Sequence, residues 1–244
     1  LRNAVVPGEG DLDRLVQLSK KLELSVYLGM VERAKDRGGH SLYCSLAYLD
    51  PNEGVRSIHR KLQPTYDERL TWAPGDGNGL QVRPLKSFSV GGLNCWENWM
   101  PLVRTALYAQ GENVHIAVWP GSDYNTRDIT RFVARESRSY VISASSLMRR
   151  DAVPVNTPYL EQLLEKLPET LGNGGSCIAA PDGSWMLEPQ LDTEGVFIQE
   201  LSLNRIYEAR QNFDPSGHYS RPDVTRLILN RNRQSVLDIE DPEV

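Results

Sequence analysis

Between Phe88 and Ala144 the chain alternates, without interruption, short apolar runs with helical stretches. Phe88 to Asn94 reads as a strand, Pro101 to Gln110 as a helix closed by Gly111, and Val114 to Trp119 as a second strand. Asp128 to Arg138, carrying Ile129, Phe132, Val133 and Ala134, reads as a helix and leads into the strand Tyr140 to Ala144. A proline at the first helical position gives up an N–H that would be unpaired there anyway, and a glycine just past the last turn supplies the left-handed residue that ends it. Strands alternating with helices must bury one face of each element against the other, which commits the region to α/β layers.

The flanks follow simpler rules. Asp11 is expected to cap a helix whose Leu12, Leu15, Val16 and Leu22 share a face, and Leu24 to Val31 then reads as a buried strand. A Gly38-Gly39 turn leads to a strand at Leu42 to Leu49, with Leu42, Cys44, Leu46 and Tyr48 on one face and Cys44 in the core. Pro51 to Gly54 turns the chain into Val55 to Leu62, making a hairpin. Beyond the alternating region, Leu147 to Leu171 reads as a long polar insertion. Cys177 to Ala180, Ser184 to Leu187 and Gly195 to Leu201 read as a terminal meander, followed by a short helix at Asn204 to Asn212. Helices alternating with strands first, and antiparallel strands later, predict α/β layers around a mixed sheet in one domain spanning residues 1–244.

Composition excludes several function classes. A net charge of −5 argues against a general polyanion binder, so nucleic acid is not an expected partner. The basic pairs Arg60-Lys61 and Arg149-Arg150, and Arg231 with Arg233, read as solvated faces or local ion pairs. Cys44, Cys95 and Cys177 lie far apart with no C-x-x-C pairing, which suggests neither a disulfide framework nor a zinc site and fits a reducing compartment. No apolar stretch approaches the ~20 residues that span a bilayer, and no signal-peptide pattern opens the chain, so a cytoplasmic location without membrane partners is expected. His40, His59, His115 and His218 lack the i, i+4 spacing of a helical metal site, and structural or surface roles are expected for them. No cofactor is called for.

Cys95 stands apart from the other cysteines. Within Gly91-Gly-Leu-Asn-Cys-Trp-Glu-Asn-Trp-Met-Pro101 an apolar run delivers it to a sharp turn ahead of a Pro-started helix. A thiol at a strand's carboxyl end sits where backbone N–H groups can point at a developing oxyanion. A lone cysteine by itself is more often a small buried hydrophobe. The segment upstream changes that reading: His59-Arg-Lys-Leu-Gln-Pro-Thr-Tyr-Asp-Glu-Arg69, followed by the turn-rich Pro74-Gly-Asp-Gly-Asn-Gly79.

With HRK-x-x-P-T-x-x-E-R, then CWEN-x-M-P-L, then GHYSRPDV at Gly217 to Val224, the chain resembles the nitrilase family, with these signatures in family order from Asn3 to Val224. The resemblance implies a four-layer α-β-β-α sandwich, two sheets face to face with helices outside. It implies that Cys95 is the nucleophile, attacking a nitrile carbon to give a covalent thioimidate and then a thioester, with release of ammonia and a carboxylic acid. An unperturbed thiol has a pKa of ~8.5, and a neighbouring ammonium favours the thiolate. Lys61 matches the family's ammonium, and the N–H of Trp96 would be a second donor to the developing charge. Glu68 matches a glutamate that assists proton transfer.

The family's other glutamate lies upstream of the segment matching Asn3-Ala-Val-Val-Pro7, so the family's first strand, first helix and base-bearing second strand are expected to be missing from this chain. Trp96 and Trp119 are expected to line the substrate pocket, with a buried core position as the other reading of Trp119. Glu97 and Glu136 match family positions and read as structural or orienting groups, and Tyr219, Arg221 and Asp223 as residues that fix the tail. Trp96-Glu97 after the cysteine favours the nitrilase branch over amidases and carbamoylases. The alternatives are a nitrile or cyanide hydratase, an amidase, or a catalytically impaired truncated subunit serving assembly. A homodimer or a larger spiral homo-oligomer is expected, acting on a small-molecule nitrile.

Overall fold

The computed structural model describes residues 1–237 and divides them into two compact units. The first comprises Leu1–Gln81 with the segment that begins at Leu227, and the second Val82–Arg226.

In the first unit, α1 (Asp13–Leu22) precedes β1 (Val26–Ala34), β2 (Ser41–Asp50) and β3 (Gly54–Arg60), which form an antiparallel sheet in that order. The hairpin of β2 and β3 turns at Gly54, whose φ of 74° is open to glycine at no steric cost. Two expectations fail here. Asp11 does not cap α1; its carboxylate accepts the Val6 N–H at 2.7 Å, and Leu12 occupies the cap position without a side-chain bond. Nor is β1 buried along its length: Leu24 precedes it exposed, and Val31 is exposed within it. Among the described residues β1 pairs with β2 on one side, its other side meeting Val5 through a bridge to Glu32, and β2 takes the centre and the fully buried run Ser45 to Leu49. Cys44 is half-buried.

The second unit holds β4 (Arg83–Leu85), β5 (Phe88–Asn94), α2 (Pro101–Tyr108), β6 (Val114–Trp119), α3 (Asp123–Ser137), β7 (Tyr140–Ser145), β8 (Leu147–Arg149), α4 (Leu160–Lys166), β9 (Thr170–Ala179), β10 (Trp185–Leu191) and α5 (Leu203–Asn212). Its sheet runs β10-β9-β7-β6-β5-β4, with β8 on β9. β5, β6 and β7 are parallel and the outer pairings antiparallel, a mixed sheet as expected. α3 lies against it through Thr126, Ile129, Thr130, Val133, Ala134 and Ser137.

That helix begins five residues before the predicted Asp128, because a distant residue caps it: the side-chain carbonyl of Asn173, on β9, accepts the Asp123 N–H at 3.2 Å. Phe132 sits on the outer face, half exposed beneath the Arg104 guanidinium. The expected insertion from Leu147 to Leu171 contains β8, α4 and the first two residues of β9. Gly195 to Leu201 forms no strand, so the meander reduces to the β9–β10 hairpin. Val196 and Ile198 are exposed, so that segment lacks the half-buried surface a strand needs.

Candidate active site

β5 brings the chain into the core through Val90 to Asn94, all buried, and ends at Cys95, which opens a 3₁₀ turn at Cys95–Trp99. Cys95 has a φ of 52°, a left-handed conformation in which a non-glycine residue pays ~1–3 kcal/mol. Asn94 and Glu97 fix the turn by a reciprocal cap: the Asn94 side chain accepts the Glu97 N–H, and the Glu97 carboxylate accepts the Asn94 N–H at 2.9 Å. Glu97, 1% exposed, is therefore the structural group its motif position suggested.

The Cys95 side chain joins the buried cluster of Tyr108, Ala117, Trp119, Ile129, Val133 and Ala179. Trp119 is 2% exposed and donates its indole N–H to the Ser143 hydroxyl at 3.3 Å. Trp96 is exposed and lies against Trp99 with ring centroids 6.3 Å apart. Glu136 takes both arms of the Arg104 guanidinium, at 2.7 and 3.1 Å, and the Tyr108 hydroxyl at 2.9 Å. Burial alone would pull the Arg104 guanidinium down in pKa; the hydrogen bond and charge of Glu136 more than reverse this.

The other family motif lies in the first unit. Lys61 follows β3, 1% exposed, with its backbone held on both sides: its N–H donates to the Cys44 carbonyl and its carbonyl accepts the Gly75 N–H, each at 2.8 Å. The glycines of the Pro74-to-Gly79 loop permit this, since a Cβ at Gly75 would strike the Arg60 backbone and one at Gly79 the His59 backbone. The Lys61 ammonium donates to Glu68 Oε2 at 2.6 Å and to the Thr65 hydroxyl at 3.2 Å. Glu68 Oε2 also accepts the Thr65 N–H at 2.6 Å, so the Thr-x-x-Glu spacing is a capping box that sets the carboxylate toward the lysine.

Of the two readings of the Arg60-Lys61 pair, Arg60 takes the local ion pair and not the solvated face. It is 4% exposed, paired with Glu32 and Asp36 and stacked on the Tyr43 ring at 4.4 Å. Burial pulls against its charge, and the hydrogen bonds of both carboxylates hold the guanidinium firmly protonated.

Lys61 and Glu68 thus meet in one unit, and Cys95, Trp96 and Trp119 fall in the other. Reading the sequence missed Asn98, which donates to the Cys95 carbonyl at 2.8 Å, and the buried pair His115 and Glu112 behind it. The asparagine lies in the CWEN motif, but an isolated histidine and a glutamate after a helix carry no pattern.

A carbon-nitrogen hydrolase family model matches residues 3–211. The chain belongs to the carbon-nitrogen hydrolase family. It is 34% identical to Nitrilase 3 of Arabidopsis thaliana over 93% of its length and 65% of that protein's, and 35% identical to a bifunctional nitrilase/nitrile hydratase, NIT4B, of Nicotiana tabacum over 92% and 64%. The chain therefore spans just under two thirds of these relatives. Among solved structures, a carbon-nitrogen hydrolase from Helicobacter pylori superposes with a TM-score of 0.69 at 18% identity, covering 90% of this chain and 78% of that one. A superfamily protein from Xanthomonas campestris, solved with an arsenic adduct in its active site, superposes with a TM-score of 0.68 at 14% identity, covering 91% and 77%. The chain has the α/β fold of those structures, with sheets and helices in the arrangement the family resemblance implied. Among the described residues no cluster of His, Cys, Asp and Glu could hold a metal ion, and no helix is long and apolar enough to cross a membrane.

Proposed function

We propose that the protein is a thiol-dependent hydrolase of carbon–nitrogen bonds that converts a small nitrile to a carboxylic acid and ammonia. The observation that carries the reading is Cys95, held left-handed at the end of a buried strand within the CWEN motif, in a chain 34% identical to a plant nitrilase. The Cys95 thiolate adds to the nitrile carbon, forming a C–S bond, and the nitrile nitrogen takes a proton to give a thioimidate. Water adds to that carbon, ammonia leaves with a further proton, and a second water cleaves the thioester, returning the thiol and releasing the acid. Lys61 supplies the fixed positive charge that favours thiolate and developing anion, Glu68 holds Lys61 and relays protons, and the Trp96 N–H is the backbone donor. Trp96 and Trp119 bound the substrate. A homodimer or larger homo-oligomer in the cytoplasm, formed by one domain, completes the proposal.

A relative named as a bifunctional nitrilase/nitrile hydratase supports a second outcome, in which the tetrahedral intermediate expels the thiol and releases an amide. Incubating the purified chain with aliphatic and aromatic nitriles and quantifying acid, amide and ammonia tests both. Acid with equimolar ammonia is expected, absent in Cys95→Ala and at trace level in Cys95→Ser. Turnover that survives Cys95→Ala would remove the thiol from the mechanism.

A further inference from the structure

Besides the Asn94–Glu97 cap, a buried chain of hydrogen bonds reaches the left-handed Cys95. Asn98, 1% exposed, aims its side-chain amide at two carbonyl oxygens, those of Cys95 at 2.8 Å and Leu93 at 3.5 Å. An oxygen there would face two oxygens, so the NH₂ group points that way and the amide oxygen faces His115 Nε2 at 2.8 Å. His115 Nε2 therefore carries a hydrogen, an assignment made from this donor accounting. The other ring nitrogen lies 3.0 and 3.1 Å from the two oxygens of Glu112. A proton must lie between them as well, leaving a pair with no net charge where neither side chain has any exposure. Gly91 makes room, since a Cβ at that position would run into the Glu112 carboxylate. The Arg104 guanidinium holds the Asn98 carbonyl at 2.9 Å.

A buried chain of this kind is an expensive way to fill a core, because well-packed apolar side chains of similar volume are often as stable or more so. It ends on the peptide between Cys95 and Trp96. In a trans peptide the C=O and N–H point in opposite directions, so drawing the Cys95 carbonyl inward to Asn98 turns the Trp96 N–H the other way. As the second residue of the 3₁₀ turn, Trp96 has an N–H outside the turn's own ladder.

We propose that Asn98, oriented by His115 and Glu112, is a positioning residue that locks the Cys95–Trp96 peptide so that the Trp96 N–H is aimed at the charge developing on the substrate. This rests on the reading of Cys95 as nucleophile. The chain of Glu112, His115 and Asn98 touches no substrate; it acts through the backbone of the residue that does.

The test has a kinetic arm and an activity-independent arm, both on the full chain. Asn98→Leu should lower kcat by ~10²–10³, the loss seen when one oxyanion donor is removed, with KM changed less than about threefold. His115→Leu should lower kcat at least tenfold, and His115→Gln, which keeps a donor at the Nε2 position, should restore most of it. An unchanged kcat in folded Asn98→Leu overturns the proposal, as does a His115→Gln protein no better than His115→Leu. In the second arm, ring ¹⁵N spectra of the unvaried chain should show His115 Nε2 protonated, and Cys95 backbone ¹³C shifts should report a left-handed residue. In Asn98→Leu that left-handed signature should be lost. An unprotonated Nε2, or a Cys95 signature unmoved by Asn98→Leu, overturns the positioning role whether or not nitriles are substrates, and the ring spectrum needs no variant to fold. If the unvaried chain turns over no nitrile while the spectra behave as expected, the function fails and the backbone lock stands.

Discussion

Replacing Glu32 by alanine should unsettle the first unit more than any surface change, because it strands a guanidinium that cannot reach bulk water. Arg60 and Glu32 are each 4% exposed at the side chain, joined by bonds of 2.7, 3.1 and 3.1 Å. Breaking a buried pair by removing one partner costs ~3–5 kcal/mol. Part of that is recovered, since Asp36 keeps its two bonds to Arg60 at 2.7 and 3.1 Å and Tyr43 keeps its ring beneath the cation. Against this, the buried Ser45 hydroxyl loses its acceptor at 2.6 Å, worth ~1 kcal/mol. The balance is a loss of ~3–4 kcal/mol.

In urea, with a slope of ~2–3 kcal/mol per molar, the midpoint should fall by more than about 1 M at unchanged slope. The half-exposed Asp36 gives an internal control: Asp36→Ala should cost only ~1 kcal/mol. Coupling Glu32→Leu to Arg60→Met should recover much of the stability, because both charges leave together. A Glu32→Ala midpoint within about 0.3 M of the parent would refute the claim that this pair is buried and mutually dependent.

Two further outcomes can be checked quickly. Lys61→Ala should reduce single-turnover rates at least ~10²-fold with the fold retained, since an ammonium held by Glu68 and Thr65 is a preorganised charge; near-normal rates in a folded protein would remove Lys61 from the mechanism. Burial pushes the Cys177 thiol up, its hydrogen bonds to Thr130 and neighbouring hydroxyls only partly offsetting this, so Cys177 should resist iodoacetamide as pH rises to 9 and react only on unfolding; peptide mass spectrometry showing Cys177 labelled as fast as Cys44 would contradict it.

Local rules wrote much of this protein into its sequence. The alternation from Phe88 to Ala144 gave β5 and β6 at their observed bounds and β7 to within a residue, because apolar period and a Pro-started, Gly-ended helix are consequences of chain geometry alone. Thr65-x-x-Glu68 and Asn94-x-x-Glu97 likewise carry their caps in adjacent residues. Tertiary structure decided the rest, where the deciding partner lies far along the chain. α3 starts at Asp123, where Asn173, fifty residues on, receives its N–H, and β1 stays half exposed at the edge of its sheet, with β2 its paired strand among the described residues. The buried line from Glu112 through His115 and Asn98 to Cys95 belongs to this class. Its two end links, Glu112 to His115 and Asn98 to Cys95, each join residues three apart, but the bond between Asn98 and His115 that unites them spans seventeen residues and exists only once β5 and β6 lie side by side.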